Sequence, residues 1–457
     1  MIRMPQRFRR KLCCFFPVFW LFCALASLSA QVQPPQFSKN ALLNGLEIFF
    51  LPSETGRSEF ALMIKNGAAF DPLGKWGVTN LMAHLTLERT ERRTGDQIRE
   101  DLKLMNAQLD VTLDWDAIFY HGSAPQERLG DVLNILAEVV TKPVFVEDTL
   151  EVVRDRFIRE MQDDEGTVER LTQQRFIQEL FGENPYSHTV VGEPKQLNAV
   201  DLTDVKIQYR RLFMPNQAQL ALTYSGDEAK LFRSLGRSWG GWIRGDAVPF
   251  TFRQADPIEG PHILLFDRNV EQSVFRFGSL AVEKNSPDFY ALKVLEQYLT
   301  LSLPDWAKDV VSKDQVIGGV HLDARRMPGY MQLSILAPPE DLVLYVDKLH
   351  RVLKDLQDGQ LNMDRFKEAK ELAVLELSQT MIQPLPRLLE MLRVSLYEVG
   401  LRYITSYGIR LERVSPRHLS SALTKYFSPD SYLLVAAGPA DLLAPRLKKF
   451  GPVDILN

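Results

Sequence analysis

The chain contains one pattern of residues twice, and this duplication constrains its fold more than any other feature. Asp201 and Ser415 each open a predicted helix that closes at a proline fourteen residues later. A strand-like apolar segment follows each proline, at residues 219–224 and 432–437. The two copies are 214 residues apart, which is far too long a period for a solenoid. We therefore predict two homologous halves.

Each half combines predicted strand pairs with helices, which indicates the α+β class with largely antiparallel sheets. The first half has predicted strands at residues 46–51, 59–65, 108–113 and 117–123, and predicted helices from about residue 77, at 129–140 and at 148–163. In the second half, a helix begins at Pro287 and is capped by Ser286.

The seam between the halves is predicted in a stretch rich in Gly, Pro and charged residues. The pattern predicts an N-terminal domain at residues 31–245, a linker at 246–261 and a C-terminal domain at 262–457.

The first thirty residues are typical of a secretory signal peptide. Five basic residues precede an apolar run over residues 12–26, and the small residues Ser27-Leu28-Ser29 follow it. We predict cleavage after Ser29 or Ala30, and hence a periplasmic or secreted protein. The run is short for a bilayer span, so we expect membrane contact only through this segment.

Removing residues 1–30 would change the charge and the cysteine content of the chain. All three cysteines lie in this segment, so the mature protein would have no disulfide and no thiolate ligand. Five of the 54 basic residues and none of the 58 acidic ones lie there, which gives a mature net charge of −9. This acidic balance argues against nucleic acid as a partner.

The segment Asn80-Leu81-Met82-Ala83-His84 resembles a zinc-peptidase helix whose chemical groups have been lost. The inverted motif His-x-x-Glu-His places two His ligands one helical turn apart and a Glu general base next to the second. Here Asn80 stands at the first ligand position, Ala83 at the base position, and His84 alone is retained. We therefore expect no catalytic residue at this site.

A third ligand would come from another helix, and Glu160 is the candidate. Leu150, Val153, Phe157 and Met161 form the apolar stripe of the predicted helix 148–163, and Glu160 is expected to border it. A carboxylate in that position needs a partner. The sequence predicts a hydrogen-bonded pair of His84 and Glu160; a metal held by these two residues is the alternative.

With these residues in order, the chain resembles the pitrilysin/insulinase family of inverted-motif zinc peptidases, which includes the mitochondrial processing peptidases. The resemblance rests on Asn44-Gly45-Leu46, the run from Gly67 to Gly77, Glu160 at the third-ligand position, Pro185-Tyr186 with Gly192, and Phe450-Gly451-Pro452. It implies the LuxS/MPP-like metallohydrolase fold. Two such chains would close around a peptide or an unfolded polypeptide.

The C-terminal half departs from the family as well. Family members often hold substrate there with an Arg and a Tyr, and the segment 306–320 of this chain contains no Tyr. Lys308 is a possible cation for substrate binding in this segment.

These features support three functional hypotheses. The first is a non-catalytic subunit, with no cofactor, that forms a peptide-binding chamber with an active family member. The second is a zinc metallopeptidase with an aberrant site built from His84, Glu160 and Asn80. The third is a stand-alone periplasmic peptide-binding protein.

Overall fold

Two six-stranded sheets with packed helices form the protein, one sheet in each half of the chain. The structure is a computed structural model, and it describes residues 36–53, 55–163, 167–307 and 317–456. The α+β prediction with two homologous halves is confirmed.

The elements of the N-terminal half begin and end as follows. Its strands are β1 (Ser38–Ala41), β2 (Glu47–Leu51), β3 (Arg57–Lys65), β4 (Gln108–Leu113), β5 (Ala117–Pro125) and β6 (Ala218–Thr223). Its helices are α1 (Val78–Leu85), α2 (Gly95–Leu104), α3 (Leu129–Thr141), α4 (Glu147–Asp163), α5 (Val168–Phe181), α6 (Pro194–Asn198), α7 (Leu202–Leu212) and α8 (Glu228–Trp239).

The C-terminal half repeats this order with small changes. Its strands are β7 (Pro261–Asp267), β8 (Ser273–Leu280), β9 (Ile317–Asp323), β10 (Tyr330–Ala337), β11 (Tyr432–Gly438) and β12 (Val453–Leu456). Its helices are α9 (Phe289–Ala307), α10 (Pro339–Gln357), α11 (Met363–Ile382), α12 (Pro384–Leu396), α13 (Arg402–Glu412), α14 (Pro416–Tyr426) and α15 (Ala440–Leu447).

The two sheets share one topology. The strand orders are β1-β2-β6-β3-β5-β4 and β12-β7-β11-β8-β10-β9. When the edge strands β1 and β12 are left out and the remaining five strands of each half are counted along the chain, both sheets have the order first, fifth, second, fourth, third. The β2–β6, β7–β11 and β7–β12 pairs are parallel and the other pairs are antiparallel. The sequence repeat maps onto this symmetry because β6 and β11 occupy equivalent places.

The helices that carry the sequence repeat are capped in the same way. Asp201 accepts a hydrogen bond from the backbone N–H of Asp204 at the start of α7. Ser415 accepts one from the backbone N–H of His418 at the start of α14. Both are capping boxes, which satisfy two N–H groups that a helix start otherwise leaves unpaired. The predicted capped helices are therefore confirmed.

The halves exchange helices across their junction. Helix α5 of the N-terminal half lies on the C-terminal sheet, where Thr172 accepts a hydrogen bond from Arg276 at 3.1 Å. Helix α12 of the C-terminal half lies on the N-terminal sheet, where Gln219 donates to Ser395 at 2.8 Å. One buried cluster accordingly joins residues of both sheets, including Met63 and Phe119 of the N-terminal sheet and Phe275 of the C-terminal sheet. This shared core fixes the two halves against each other.

The segment between α8 and β7 has no regular secondary structure from residue 243 to residue 260, but it is packed. The rings of Phe250 and Phe252 lie 5.8 and 5.1 Å from the ring of Phe70. The domain boundaries at 245 and 262 remain predictions, as does the signal peptide, which lies outside the described residues. Within the described part of the chain, every helix is too short or too polar to cross a membrane.

Candidate functional site

Helix α1 is held at its start by a half-buried carboxylate. The Asp71 side chain accepts hydrogen bonds from the backbone N–H of Gly77 at 2.6 Å and of Thr79 at 3.0 Å, and from the Thr79 hydroxyl. Burial raises the pKa of Asp71 to about 7, and these hydrogen bonds act in the opposite direction. The sequence suggested this arrangement only indirectly, through Asp71-Pro72 and Gly77 in the run into the helix.

Gly77 is required where α1 begins. Its φ is +89°, and a Cβ atom there would lie 2.6 Å from the Val191 carbonyl oxygen and 2.9 Å from the Cα of Gly192. Only glycine combines this left-handed conformation with so close a backbone approach. The loop around Gly192 therefore packs directly against the start of α1.

Both faces of α1 that the sequence predicted are buried. Val78, Leu81, Met82 and Leu85 belong to the core of the N-terminal half, as the periodicity predicts. On the second face, Asn80 is 5% exposed and Ala83 is fully buried. The Ala83 carbonyl oxygen accepts hydrogen bonds from Thr86 and Tyr120. The helix that would carry a metal motif is thus intact and well packed.

His84 lies against an aromatic ring. Its imidazole packs edge-on against Phe157 of α4, with 5.0 Å between the ring centroids. Burial, reinforced by the nearby Arg156 guanidinium, lowers the pKa of His84 to about 4, although Glu88 and Asp110 oppose this shift. The imidazole is therefore neutral at neutral pH.

The prediction of a hydrogen-bonded pair of His84 and Glu160 is wrong. The apolar stripe of α4 is buried as predicted, but Glu160 is exposed to solvent instead of bordering that stripe. Across the described ranges, Glu160 makes no hydrogen bond to His84. The physical reason is that Phe157, one turn earlier on α4, occupies the space next to the imidazole.

The donor set at α1 does not fit a zinc ion. No group of three His, Cys, Asp or Glu side chains that could hold a metal occurs among the residues that the structure describes. Structural zinc sites have four ligands and catalytic sites have three protein ligands with an open position. Asn80 is a weak neutral donor that does not replace an imidazole.

Lys308, the candidate for substrate binding, lies outside the described residues. Glu88 belongs to a charged run, yet its side chain is only 17% exposed and it pairs with Arg99 at 3.1 Å and Arg156 at 3.6 Å. It therefore links the loop after α1 to α2 and α4.

Sequence reasoning missed a charged cluster at the junction of the halves. Arg325, which follows β9, pairs with Asp323 at 2.8 Å and with Asp114 at 3.4 Å, and its guanidinium lies 4.6 Å from the Trp115 ring. The fully buried Asp116 accepts a hydrogen bond from the hydroxyl of Tyr186. Burial, reinforced by Asp114, raises the pKa of Asp116 to about 7. These residues come from three separate parts of the chain, so no local sequence pattern predicts the cluster.

Comparison with known proteins agrees with this architecture. Residues 51–193 match the insulinase family, peptidase family M16. The mitochondrial-processing peptidase subunit beta of Saccharomyces cerevisiae is 22% identical over 218 residues, which are 47% of this chain and 46% of that protein. The matches span about half the length of the curated relatives.

Solved structures show the same fold over most of the chain. A protease from Helicobacter pylori superposes with a TM-score of 0.80 at 17% identity, covering 89% of this chain and 100% of that one. A structure from Pseudomonas fluorescens, described as a peptidase M16 inactive domain, superposes with a TM-score of 0.79 at 15% identity and covers 88% and 98%.

The fold and the α1 helix together define a peptidase-like α+β protein with two homologous halves. Residues 51–193 of this chain are thus similar to the insulinase family, peptidase family M16.

Proposed function

We propose that the chain is an exported, non-catalytic insulinase-like subunit that helps to form a peptide-binding chamber with an active relative. One observation carries this proposal. Helix α1 is intact and buried, yet it holds Asn80 and Ala83 where the inverted zinc motif has a ligand and a general base.

The loss of chemistry follows from the residues that remain. Ala83 cannot accept a proton from water, and loss of a general base alone typically lowers the rate by ~10²–10⁴-fold. Without a metal there is also no metal-bound water to act as nucleophile. The neutral His84 packs against Phe157, while Glu160 faces solvent. The alternative of an aberrant zinc peptidase therefore has little support from this donor set.

A peptide could bind along the edge of the N-terminal sheet. Strand β4 is the last strand of this sheet and pairs only with β5 within the described part of the chain. Every second residue of β4 is exposed, namely Gln108, Asp110 and Thr112. An open strand edge of this kind offers backbone hydrogen bonds to an extended peptide. Strand β4 contacts helix α1, and the Asp110 carboxylate opposes the lowered pKa of His84, which supports this edge as the place where a peptide binds.

The proposed partner is an active insulinase-like chain with an intact His-x-x-Glu-His motif. The yeast relative is named as a subunit of a processing peptidase. A homodimer of this chain would contain two inactive sites, so a heterodimer better explains a retained fold. The compartment proposed for this complex is the periplasm of a Gram-negative cell, or the space outside a secreting cell.

Native purification of the tagged chain, followed by mass spectrometry, tests the partnership and the export. We expect a co-purifying His-x-x-Glu-His peptidase, and a mature N-terminus at Ala30 or Gln31. Peptide hydrolysis should require the partner. If the chain instead runs as a monomer or homodimer and binds peptide, the stand-alone binding function is correct. Zinc-dependent hydrolysis by the chain alone, abolished by His84→Ala, would establish the enzyme hypothesis.

A further inference from the structure

A cavity of about 390 Å³ lies in the C-terminal half and reaches the junction of the two halves. None of its described lining residues belongs to α1. Helices α9, α11, α12 and α13 contribute most of its lining, and Asp114 of the β4–β5 turn joins from the N-terminal half. Glu376 in this lining occupies along α11 the same position that Glu160 occupies along α4. The cavity in the C-terminal half is thus at the position equivalent to that of the degenerate zinc motif in the N-terminal half.

Several charged residues of this lining are already paired. Lys293 contacts Glu296 at 2.6 Å and Glu376 at 2.8 Å. Arg325 contacts Asp114 and Asp323, as described above. These groups have satisfied partners, and their excess of carboxylates makes the cavity unfavourable for a multiply charged anion such as phosphate.

Two cations of the lining have no such partner. Within the described part of the chain, no carboxylate oxygen lies within 4.0 Å of Lys284 or Arg393. The Lys284 ammonium lies over the rings of Phe289 and Tyr403, at 4.4 and 5.2 Å from their centroids, and the Arg393 guanidinium lies 5.3 Å from the Phe119 ring. Burial lowers the pKa of Lys284, although Glu390 partly opposes this shift. A partly desolvated cation without a counter-ion is costly, and a bound anion would remove that cost.

Three tyrosines complete the set of hydrogen-bond donors. The rings of Tyr397, Tyr403 and Tyr407 are buried in the cavity wall. Their hydroxyl groups make no hydrogen bond to any residue in the described ranges. Burial raises the pKa of each hydroxyl well above its ordinary value, so all three remain protonated donors. Two cations and three tyrosines therefore line one cavity with aromatic walls.

We infer that this cavity binds a carboxylate of a peptide, with Lys284 and Arg393 as counter-charges and the tyrosine hydroxyls as donors. Five carboxylates and four cations line the cavity, so its positive charge is local. Lys284 and Arg393 are the two cations without a carboxylate partner among the described residues, and with the neighbouring Glu390 they leave one positive charge for the single negative charge of a carboxylate. Arg and Lys form short charge-assisted hydrogen bonds with this group. The inference rests on the proposed peptide-binding function and adds an anchor for one end or one acidic side chain of the peptide.

Calorimetric binding to the complete mature chain tests this site. Three peptides of one sequence are compared: one with a free C-terminal carboxylate, one with a C-terminal amide, and one amide with an added Glu. We expect a carboxylate to strengthen binding about tenfold, as is typical of a hydrogen-bonded charged group. Binding of only the free acid assigns the cavity to the peptide C-terminus, and binding of both acids assigns it to any peptide carboxylate.

Matched variants locate the effect. Lys284→Met and Arg393→Met each remove a charge and keep much of the aliphatic packing, and each should abolish the difference between acid and amide. Lys367→Met, on the exposed face of α11, is the control and should preserve it. If one variant fails to fold by circular dichroism, the other tests the same carboxylate. Equal binding of acid and amide to the wild-type chain would overturn the inference while leaving peptide binding intact.

N-acetylglycine and its amide separate this inference from the proposed function. If N-acetylglycine binds and Lys284→Met abolishes that binding, the carboxylate site stands. This holds even if peptides longer than N-acetylglycine do not bind. In that outcome the chain by itself would bind a carboxylate without binding a longer peptide. Absence of binding by N-acetylglycine and by every peptide would overturn the carboxylate site, whereas the chamber with an active relative is tested separately by the co-purification described above.

Discussion

The imidazole of His84 packs edge-on against the ring of Phe157, with 5.0 Å between the centroids. In the inverted zinc motif, this histidine position would face a metal ion and its other ligands. Here the same side chain has become part of an aromatic contact between α1 and α4. Helix α1 is intact, and this imidazole makes a packing contact between two helices.

Restoring the motif should restore metal binding. We expect the wild-type chain to bind zinc no better than micromolar, and Asn80→His with Ala83→Glu to bind it much more tightly, because three protein ligands then become available. Ala83 is fully buried, so the double variant should be less stable without metal and should gain thermal stability when zinc is added. Calorimetric zinc titration and thermal melting measure both effects.

Adding Glu160→Gln to the double variant is the matched control for that experiment. Glu160 is exposed in the unmodified chain, so the restored site requires its side chain to turn towards the metal. Loss of the gained affinity would show that it does. Unchanged zinc affinity in the double variant itself would mean that α1 and α4 are not placed for ligation.

The stability of the protein should depend on His84 between pH 6.5 and pH 4. The folded-state pKa of His84 is about 4 against an ordinary value of 6.5, so the unfolded chain binds more protons in this interval. The contribution of His84 is therefore complete above pH 6.5 and is lost as the pH falls towards 4. Urea unfolding over this range should show a shallower decline for His84→Gln than for the wild-type chain. Parallel curves would contradict the lowered pKa.

Asp71 should contribute to the stability of α1 as its cap. Asp71→Ala removes the acceptor for two backbone N–H groups and the Thr79 hydroxyl, and should cost about 1–3 kcal/mol of unfolding free energy. Asp71→Asn keeps one acceptor oxygen and should cost less. Asp96→Ala, on an exposed carboxylate, is the control. Denaturant unfolding is the measurement, and equal effects of the three changes would refute the role of Asp71.

Arg325 should be important for the junction of the two halves. Arg325→Met leaves Asp114, Asp116 and Asp323 without their cation, and breaking a buried pair in this way typically costs about 3–5 kcal/mol. Arg99→Met removes an arginine that is 57% exposed and should cost less than about 1 kcal/mol. Chemical unfolding compares the two. A small effect of Arg325→Met would show that water replaces the guanidinium.

The sequence by itself determined the duplication, most of the helices and strands, and the loss of the zinc motif. Asp201 and Ser415 predicted capped helices, and both caps are present. Predicted bounds such as 108–113 coincide with β4, and others differ by a few residues at element ends. These features follow from residues close together in the chain, since caps, hydrophobic period and motif spacing act within a few turns.

Only the tertiary structure decided which side chains meet. It placed Phe157 instead of Glu160 beside His84, exchanged α5 and α12 between the sheets, and brought Lys284 and Arg393 into one cavity. The position of a residue on a helix face depends on a periodicity that the sequence shows. Its neighbour on another helix depends on how the two helices are rotated and packed. That packing minimises voids over the whole core, so it cannot be read from either helix alone.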